Sequence, residues 1–359
     1  MLLPGEYNFT PDFTLSSTHL EDFNSLGYIL LRNFLCPAEV AKALRVFEET
    51  DIIEKHGFGI PDASGRMPRM VLWNTPGDDV TGMICRCDKV VATSAQLLGG
   101  EVYHYHSKLV MKEPRIGGRQ EWHQDYGYWY NNGLLTPDAI SVFVPLDRCT
   151  RENGCLQVVA GSHKCGRIEH SFTGGQTGAD VGRVREILGD KTGRFYHFHV
   201  EMSPGDALFF HSNVLHMSDP NDSEMVVAGS HKCGRIEHSF TGGQTGADVG
   251  RVREILGDKT GRFYHFHVEM SPGDALFFHS NVLHMSDPND SEMVRRALIM
   301  AYNRRDNSAG RAEVAGHHPM YSPIDRVPDS AVLECDNVSD FSGKEFLLPE
   351  NDRTVKSSK

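Results

Sequence analysis

An internal duplication limits what this chain can fold into more than any other feature. Residues 158–225 and residues 226–293 are consecutive blocks of 68 identical residues. Solenoid repeats are shorter, roughly 20–50 residues, and need about three or more copies for stability, so two blocks of 68 do not fit that class. Complete identity fits either a very recent tandem duplication or an error in assembling the sequence. We therefore interpret the fold as specified by 291 of the 359 residues, with one extra block that it must tolerate.

Charge and hydropathy exclude several classes of partner. The chain has 36 basic and 48 acidic residues and a net charge of −12, whereas binding to nucleic-acid phosphates or anionic lipids requires clustered Lys and Arg. No apolar run reaches the roughly 18 residues of a membrane span. We therefore expect no nucleic-acid or membrane partner.

The cysteines and the termini favour a cytoplasmic location. Eight cysteines become seven when the duplicated pair is counted once, and an odd number without a signal peptide is typical of reduced thiols. The N-terminus lacks the basic and apolar regions of a signal peptide. The C-terminal KSSK is not the peroxisomal Ser-Lys-Leu signal.

The N-terminal hundred residues favour helices around one strand. A capping box from Thr18 to Glu21 predicts a short helix that ends near Gly27. A strand is expected at 28–31, and a helix begins at Pro37. Residues 55–80 are rich in Gly, Pro and Asp and predict a long loop, and helical periodicity returns around 88–98.

From residue 101 the pattern changes to strands joined by turns. The predicted strands cover 102–113, 121–130, 139–147, 155–161, 194–202, 207–218 and 295–304. The tail beyond Asn307 is expected to be weakly ordered at best. This order favours a mainly β fold with helices (α+β), as a β-sandwich or barrel behind an N-terminal helical region.

His123 and Asp125 carry the strongest chemical signal. Residues i and i+2 of a strand point to one face, so both side chains could bind one ion. A histidine from a later strand would complete a 2-His-1-carboxylate triad, the ligand set of non-haem Fe(II) oxygenases. The duplication offers two candidates, His216 and His284. Other histidines, such as His104 and His106, are interpreted as packing or pocket residues.

An arginine distinguishes the two candidates. Arg295 follows His284 by eleven residues, whereas Val227 stands at that distance after His216. A guanidinium can hold a carboxylate through two parallel hydrogen bonds, and a valine cannot. The strand that begins at Cys155, however, precedes only the first copy. The sequence therefore predicts a composite barrel, built from the start of copy one and the end of copy two. The rival arrangement uses His216 and requires the chain to return to place Arg295.

Several stretches together resemble the phytanoyl-CoA dioxygenase family of Fe(II)/2-oxoglutarate-dependent oxygenases, which includes ectoine hydroxylases. They are GYILLRNF, WHQDYGYWY, ENGCLQVVAGSH and GDALFFHSNVLHMSDPN with the arginine that follows, and they lie within about residues 18–305. The resemblance implies a double-stranded β-helix, the jelly-roll or cupin-like fold. It also implies one oxygenase domain over 1–359, with its core at about 18–305.

The resemblance also assigns site residues by position. The iron ligands would be His123, Asp125 and His284. Arg295 and Ser286 would hold the distal carboxylate of 2-oxoglutarate. The remaining cosubstrate-pocket positions are Lys108, Phe143 and, between the ligands, Gln124.

The family reaction would consume O2 and 2-oxoglutarate, release succinate and CO2, and hydroxylate a small molecule. Related halogenases have a small residue where this chain has Asp125, so the carboxylate favours hydroxylation. An alternative is an inactive pseudoenzyme or binding protein whose site the extra block disrupts. A zinc hydrolase with the same triad is a third hypothesis, but it gives Arg295 no role.

Overall fold

The computed structural model describes residues 4–62, 65–172, 176–218, 293–308 and 320–347 with their side chains. It describes the backbone alone for Thr173 and for five strands between residues 222 and 288. Of the helices in these parts of the chain, none has the length and apolar character needed to cross a membrane.

The helices lie mainly in the N-terminal third. They are α1 Ser17–Leu26, α2 Pro37–Glu48, α3 Ile52–His56, α4 Val80–Arg86, α5 Asp88–Leu98, α6 Asp125–Trp129, α7 Val181–Leu188 and α8 Ala331–Glu334. The strands are β1 Glu6–Asn8, β2 Tyr28–Arg32, β3 Arg69–Trp73, β4 Val102–Lys112, β5 Gln120–His123, β6 Ala139–Pro145, β7 Leu156–Ala160, β8 His170–Thr173, β9 Gln176–Ala179, β10 Tyr196–Val200, β11 Ala207–His211, β12 Leu215–Ser218, β13 Asp222–Ala228, β14 His238–Thr241, β15 Gln244–Ala247, β16 Tyr264–His267, β17 His284–Pro288, β18 Arg295–Arg304 and β19 Phe346–Leu347.

Two sheets enclose the centre of the molecule. The major sheet has the order β1-β2-β11-β6-β18-β4-β3-β19, and the minor sheet has the order β10-β7-β12-β5. Leu30, Phe143 and Leu208 of the major sheet pack with Val158 and Phe198 of the minor sheet in one buried cluster. Two facing, mostly antiparallel sheets with this shared core form a double-stranded β-helix.

The N-terminal helices cover the outer face of the major sheet. Alternate strand residues such as Ile29, Val142 and Leu298 point to this side and pack with Val46 of α2 and Val90 of α5. Because neighbours along a strand face opposite sides, the major sheet is buried on both faces. Its inner face is therefore left for the site.

Three local predictions differ from the structure. Helix α1 begins at Ser17, and its capping box joins Ser16 to His19 rather than Thr18 to Glu21, because the Ser16 hydroxyl accepts from the His19 amide. The predicted loop at 55–80 contains β3, which lies between β4 and β19 in the major sheet. The tail beyond Asn307 contains α8 and β19, and Val332 of α8 is fully buried.

A buried ion pair anchors the tail. Lys344 Nζ lies 2.6 Å from Asp79 Oδ2, and neither side chain is exposed to solvent. The ammonium also lies 4.4 Å from the centroid of the Trp73 ring. Asp79 is in addition the N-cap of α4, where it accepts from the Thr81 amide. One carboxylate therefore joins the tail to the helical layer, and composition could not indicate this.

The barrel takes three of the four strands of its minor sheet from copy one. Strands β7, β10 and β12 come from this copy, and β18, which follows copy two, lies in the major sheet between β6 and β4. The predicted composite barrel therefore differs from the structure, which has the rival arrangement with a returning chain. The physical reason is that β18 pairs with β4 along its whole length, from Arg295 to Arg304. This pairing places Arg295 however long the preceding connection is.

Copy two repeats the strand pairing of copy one. Val226 of β13 pairs with Phe266 and His284, just as Val158 of β7 pairs with Phe198 and His216. The hairpin β14–β15 likewise repeats the register of β8–β9. Strand β5 lies before the repeat and has no duplicate. Among the described strands, copy two therefore forms a three-stranded sheet without the fourth strand of the barrel.

Candidate metal centre

His123, Asp125 and His216 converge between the two sheets. One ligand atom from each lies within 4.8 Å of the others, and all three residues are buried. Nε2 of His123 and Nε2 of His216 lie 3.8 Å and 4.0 Å from Asp125 Oδ1. Two imidazoles and one carboxylate around a single point match the donor set of the facial triad of non-haem iron sites.

Strand pairing and a change from strand to helix position these three side chains. His123 ends β5, and its direct cross-strand partner in β12 is His216. Gln124 keeps an extended backbone (φ −112°, ψ 133°), and α6 begins at Asp125. The alternation expected for a strand therefore continues for two residues, although the predicted strand 121–130 turns into a helix.

A turn divides the predicted strand 207–218. Strand β11 ends at His211 and pairs with β2 and β6 in the major sheet, whereas β12 begins at Leu215 in the minor sheet. The Tyr126 amide donates to the carbonyl of Ser212 in this turn. The turn therefore takes the chain across to the minor sheet and packs it against the start of α6.

Both imidazoles are oriented by the same local device. Nδ1 of His123 donates to the carbonyl of Glu121 at 2.7 Å, and Nδ1 of His216 donates to the carbonyl of Val214 at 3.0 Å. Each bond leaves Nε2 free to face the centre, as in most metal-binding histidines. Burial lowers the pKa of both rings, and the positive charge of Lys108 lowers both further. Neutral imidazoles are the form that binds a metal.

Ser141 orients the carboxylate. Its hydroxyl donates to Asp125 Oδ2 at 2.6 Å, while Oδ1 is the oxygen near the two imidazoles. The sequence interpretation missed Ser141. Its signal was present, since it lies two residues before Phe143 on β6 and therefore faces the same interior.

Lys108 and Phe143 lie on the inner face of the major sheet. Ile299 of β18 is the cross-strand partner of both, so the three side chains form one row across β4, β18 and β6. Phe143 is buried in the inner core, and Ile299 packs against that core. Lys108 and Phe143, both predicted to belong to the cosubstrate pocket, therefore lie on the face of the major sheet that is turned towards the minor sheet.

Arg295 is a buried cation without an acidic partner. The residue is 2% exposed, and its Nη1 donates to the carbonyl of Gly154. Its Nε has no hydrogen-bond partner, and among the described residues it forms no ion pair. Burial lowers the pKa of this guanidinium, yet arginine keeps its proton in proteins. The site therefore contains a buried positive charge that a bound anion would balance.

A second buried cation lies beside Arg295. Lys112 is its cross-strand partner, and the Lys112 ammonium donates to the Ser218 hydroxyl at 2.8 Å. Ser218 follows His216 by two residues and is the copy-one counterpart of Ser286. The sequence interpretation missed Lys112. Two buried cations and a hydroxyl at this end of the barrel are groups suited to binding a carboxylate.

Two predicted site residues belong to copy two. His284 and Ser286 lie on β17, whose backbone pairs with β13, and their side chains are outside the described residues. Their copy-one counterparts His216 and Ser218 occupy the corresponding places in the barrel. The assignment of the third ligand to copy two thus differs from the arrangement in this structure.

Gln124 has a different role from the predicted one. Its amide donates to the carbonyls of Gly166 and Asn213 and accepts from the Ile168 amide. Being one residue from each ligand, it points to the opposite side of the chain. Its side-chain hydrogen bonds are therefore made to backbone groups of the protein, and they hold together the turns behind the site.

The histidines that were interpreted as packing residues include His104. Its Nδ1 bonds the carbonyl of Asn74 at 2.6 Å, and its Nε2 bonds the hydroxyl of Ser107 at 2.7 Å. Burial lowers its pKa to about 3. His170 was not predicted to support the site, yet its Nε2 accepts a hydrogen bond from the backbone N–H of Gln124 at 2.9 Å.

The chain is similar in sequence to several hydroxylases and dioxygenases. It is 33% identical over 158 residues to an L-proline trans-4-hydroxylase of Streptomyces griseoviridis, covering 41% of this chain and 59% of that protein. It is 27% identical over 246 residues to a probable phytanoyl-CoA dioxygenase of Caenorhabditis elegans, covering 62% and 77%. An ectoine dioxygenase of Bordetella parapertussis is 27% identical over 165 residues, covering 45% and 53%. The chain thus spans little more than half the length of two of these relatives.

Solved structures of the same fold include EctD from S. alaskensis. With bound Fe, that protein superposes with a TM-score of 0.55 at 19% identity, covering 91% of this chain and 93% of that one. With 2-oxoglutarate and 5-hydroxyectoine, the TM-score is 0.56 at 18% identity over the same shares. The expected jelly-roll fold is confirmed.

A family model connects these similarities. The model of phytanoyl-CoA dioxygenase (PhyH) matches residues 23–225 and 224–297. The first match contains the three converging side chains, and the second ends just beyond Arg295. This chain belongs to the phytanoyl-CoA dioxygenase family.

Proposed function

We propose that this protein is an Fe(II)- and 2-oxoglutarate-dependent dioxygenase that hydroxylates a small molecule. The observation that carries the proposal is the convergence of His123, Asp125 and His216 on one buried point. Relatives named proline hydroxylase and ectoine dioxygenase support the reaction class. A small polar metabolite is the corresponding substrate class.

The residues present fit both the metal and the cosubstrate. The triad supplies two neutral imidazoles and one carboxylate, a donor set that leaves open positions on iron. The unpartnered Nε of buried Arg295, with Lys112 and Ser218 beside it, suits a carboxylate of 2-oxoglutarate. Iron bound there would couple O2 reduction to the decarboxylation of 2-oxoglutarate.

The chain's own groups orient and shield this chemistry. Ser141 holds one oxygen of Asp125 and leaves the other for the metal. Rings surround the histidines, since Phe210 lies 4.8 Å from His216 and Tyr128 lies 5.4 Å from His123, between ring centroids. Apolar walls of this kind exclude water from a reactive site. Asp125 also fills the position that a halide would need, which favours hydroxylation.

The arrangement supports an active site over a disrupted one. A pseudoenzyme would follow if the extra block separated the third ligand from His123 and Asp125, and in the barrel His216 remains beside both. A zinc hydrolase would use the same three ligands, but it has no use for the buried guanidinium of Arg295.

Replacement of His123 tests the metal assignment. His123→Ala removes one of three protein ligands, so we expect Fe(II) binding to fall at least 100-fold and succinate formation from 2-oxoglutarate to stop. Equilibrium dialysis with Fe(II) measures the first effect, and a coupled succinate assay measures the second. His56→Ala, in which the lost ring stacks on Phe346 3.9 Å away, is the control and should retain both. Unchanged iron binding in His123→Ala would overturn the assignment.

Replacement of Arg295 tests the cosubstrate assignment. Arg295→Lys keeps the charge but loses the planar fork, which is worth about 1.5–3 kcal/mol in a charge-assisted pair. We expect the KM for 2-oxoglutarate to rise about 10- to 100-fold while Fe(II) affinity stays unchanged. Arg296→Lys is the matched control, because Arg296 faces away and bonds Asp147 at 2.8 Å. Equal effects of the two substitutions would argue against the role of Arg295.

A further inference from the structure

We propose that His170 is a positioning residue, which fixes the direction of the Asp125 carboxylate by holding the backbone of Gln124. The N–H of Gln124 donates to Nε2 of His170 at 2.9 Å. This N–H belongs to the peptide that joins His123 to Gln124, one residue before the carboxylate. The role of the carboxylate as a metal ligand rests on the proposed function, but the hydrogen bond to His170 does not.

His170 is oriented in the same way as the two histidines of the candidate metal centre. Its Nδ1 donates to the carbonyl of Ile168, two residues earlier, at 2.8 Å. Nδ1 of His123 and Nδ1 of His216 also donate to carbonyls two residues earlier. A carbonyl can only accept, so Nδ1 carries the proton in all three rings and Nε2 is left as an acceptor. Two of these Nε2 atoms face the candidate metal position, and the third accepts from the backbone of Gln124.

Three hydrogen bonds form a closed ring between Gln124 and residues 168–170. The Ile168 amide donates to the side-chain Oε1 of Gln124 at 2.7 Å, and the bonds of His170 to both residues complete the ring. Gln124 is fully buried and His170 is 6% exposed. Because both residues are shielded from water, loss of the imidazole would leave a buried N–H without a partner, which is costly. The ring of bonds therefore fixes the backbone of Gln124.

The backbone that His170 holds lies where the chain changes from strand to helix. Strand β5 ends at His123, which is paired with β12, and α6 begins at Asp125. Gln124 is the single residue between them, and its side chain makes no cap bond to the helix. Rotation of the peptide before Gln124 would turn the next residue, Asp125, away from the two imidazoles. The direction of the carboxylate therefore depends on the acceptor for the Gln124 N–H.

The His170 ring also accounts for the glycine at position 127. A Cβ added at Gly127 would lie 2.1 Å from Cε1 and 2.4 Å from Nε2 of His170. Glycine is unfavourable within a helix compared with alanine, yet here the ring fills the space that a methyl group would need. The ring cannot move aside without breaking its two hydrogen bonds. Gly127 therefore allows α6 to pack directly on the imidazole.

Substitutions of His170 test this role by metal binding. We expect His170→Ala to lower Fe(II) affinity about 10- to 100-fold, as measured by equilibrium dialysis of the folded protein. His170→Gln should restore the affinity to within about threefold of the unsubstituted chain, because the side-chain oxygen of glutamine can accept from the Gln124 N–H. Failure of His170→Gln to restore the affinity would overturn the proposal.

His104→Ala is the matched control. His104 is also 6% exposed and makes two hydrogen bonds. Its cross-strand partner Tyr302 belongs to the core under the helices, so the ring lies on the face of the major sheet that is turned away from the triad. We expect His104→Ala to lower stability but to leave the Fe(II) affinity of the folded protein unchanged. Equal losses of affinity in His104→Ala and His170→Ala would mean that His170 has only a packing role.

Gly127→Ala tests the same contact from the side of the helix. The added methyl group should displace the His170 ring, so we expect a fall in Fe(II) affinity similar to that of His170→Ala, although alanine favours a helix. In the double variant the ring is absent and the methyl group has space. Its affinity should therefore fall no further than in His170→Ala alone, whereas the effects of independent sites add. Additive losses would count against the proposal.

Hydrogen exchange tests the bond without metal. In the metal-free protein we expect the Gln124 amide to exchange about tenfold faster in His170→Ala, the effect of one lost hydrogen bond, and to stay protected in His170→Gln. Mass spectrometry of peptides that cover residues 120–130 measures the exchange. Unchanged protection in His170→Ala would overturn the proposal. If the unsubstituted chain bound no Fe(II), the metal assignment would fail, and this exchange would still decide whether His170 holds the backbone.

Discussion

Each of the three side chains of the candidate metal centre is held by a hydrogen bond to a neighbouring residue. Glu121 and Val214 fix the imidazoles through backbone carbonyls, and Ser141 fixes the carboxylate through its hydroxyl. The two carbonyl groups remain when Glu121 or Val214 is substituted, whereas the bond to the carboxylate is lost when Ser141 is substituted. Ser141 is therefore the supporting contact that mutation can test.

Ser141→Ala should loosen the carboxylate without disturbing the fold. We expect Fe(II) affinity to fall about 10- to 100-fold, the usual effect of losing a partner of a metal ligand. Equilibrium dialysis measures the affinity. The matched control is Ser212→Ala, because Ser212 is equally buried and its hydroxyl bonds Pro137 at 2.7 Å. The same loss of iron affinity in both variants would argue against a specific role for Ser141.

Local spacing predicted some site residues and misplaced others. The i, i+2 spacing predicted that His123 and Asp125 lie together, as they do in the structure, and Arg295 was singled out as the arginine that follows a late histidine. Gln124 was misplaced because it lies between the ligands in sequence but points to the other side. Lys112 was missed because its partner, Ser218, is close only across the sheets.

Strands with strong periodicity were predicted well, and breaks within them were not. The prediction for 295–304 matches β18 at both ends. The apolar run at 207–218 hid the turn that divides it, although Ser212 and Asn213 are residues that favour turns. The tail was underestimated because a single lysine, Lys344, holds it in place through a buried carboxylate.

Choosing between two identical copies needs information that lies outside them. The sequence rule relied on the distance along the chain from histidine to Arg295. In the structure, the position of Arg295 is instead set by ten residues of β18 that pair with β4, whatever the length of the connection before them. No pattern inside the repeat could show that difference.

The stability of the whole molecule in acid depends on several histidines that are buried in their neutral form. The clearest is His104, whose pKa falls from 6.5 to about 3 on burial. Between these values the unfolded chain binds the proton and the folded chain does not. The contribution of His104 to the free energy of unfolding is therefore full above pH 6.5 and is lost as the pH falls towards 3.

His104→Gln should reduce the pH dependence of stability. By linkage, His104 alone accounts for a loss of about 2 kcal/mol between pH 7 and pH 5, and the variant should lack that part. Urea unfolding at both pH values, with His56→Gln as the control, measures the difference. An unchanged pH dependence in His104→Gln would show that this ring is not the source.

The long connection before β18 has a kinetic consequence. In the 291-residue form the arginine follows the late histidine by eleven positions, whereas here Arg295 follows His216 by 79 positions. Closing the longer loop costs roughly 2 kcal/mol more in chain entropy, and it must close before the central strand of the major sheet can pair. Non-local pairing of this kind slows folding. While that pairing is delayed, the edges of β6 and β4 stay open, and unpaired strand edges of this kind favour aggregation.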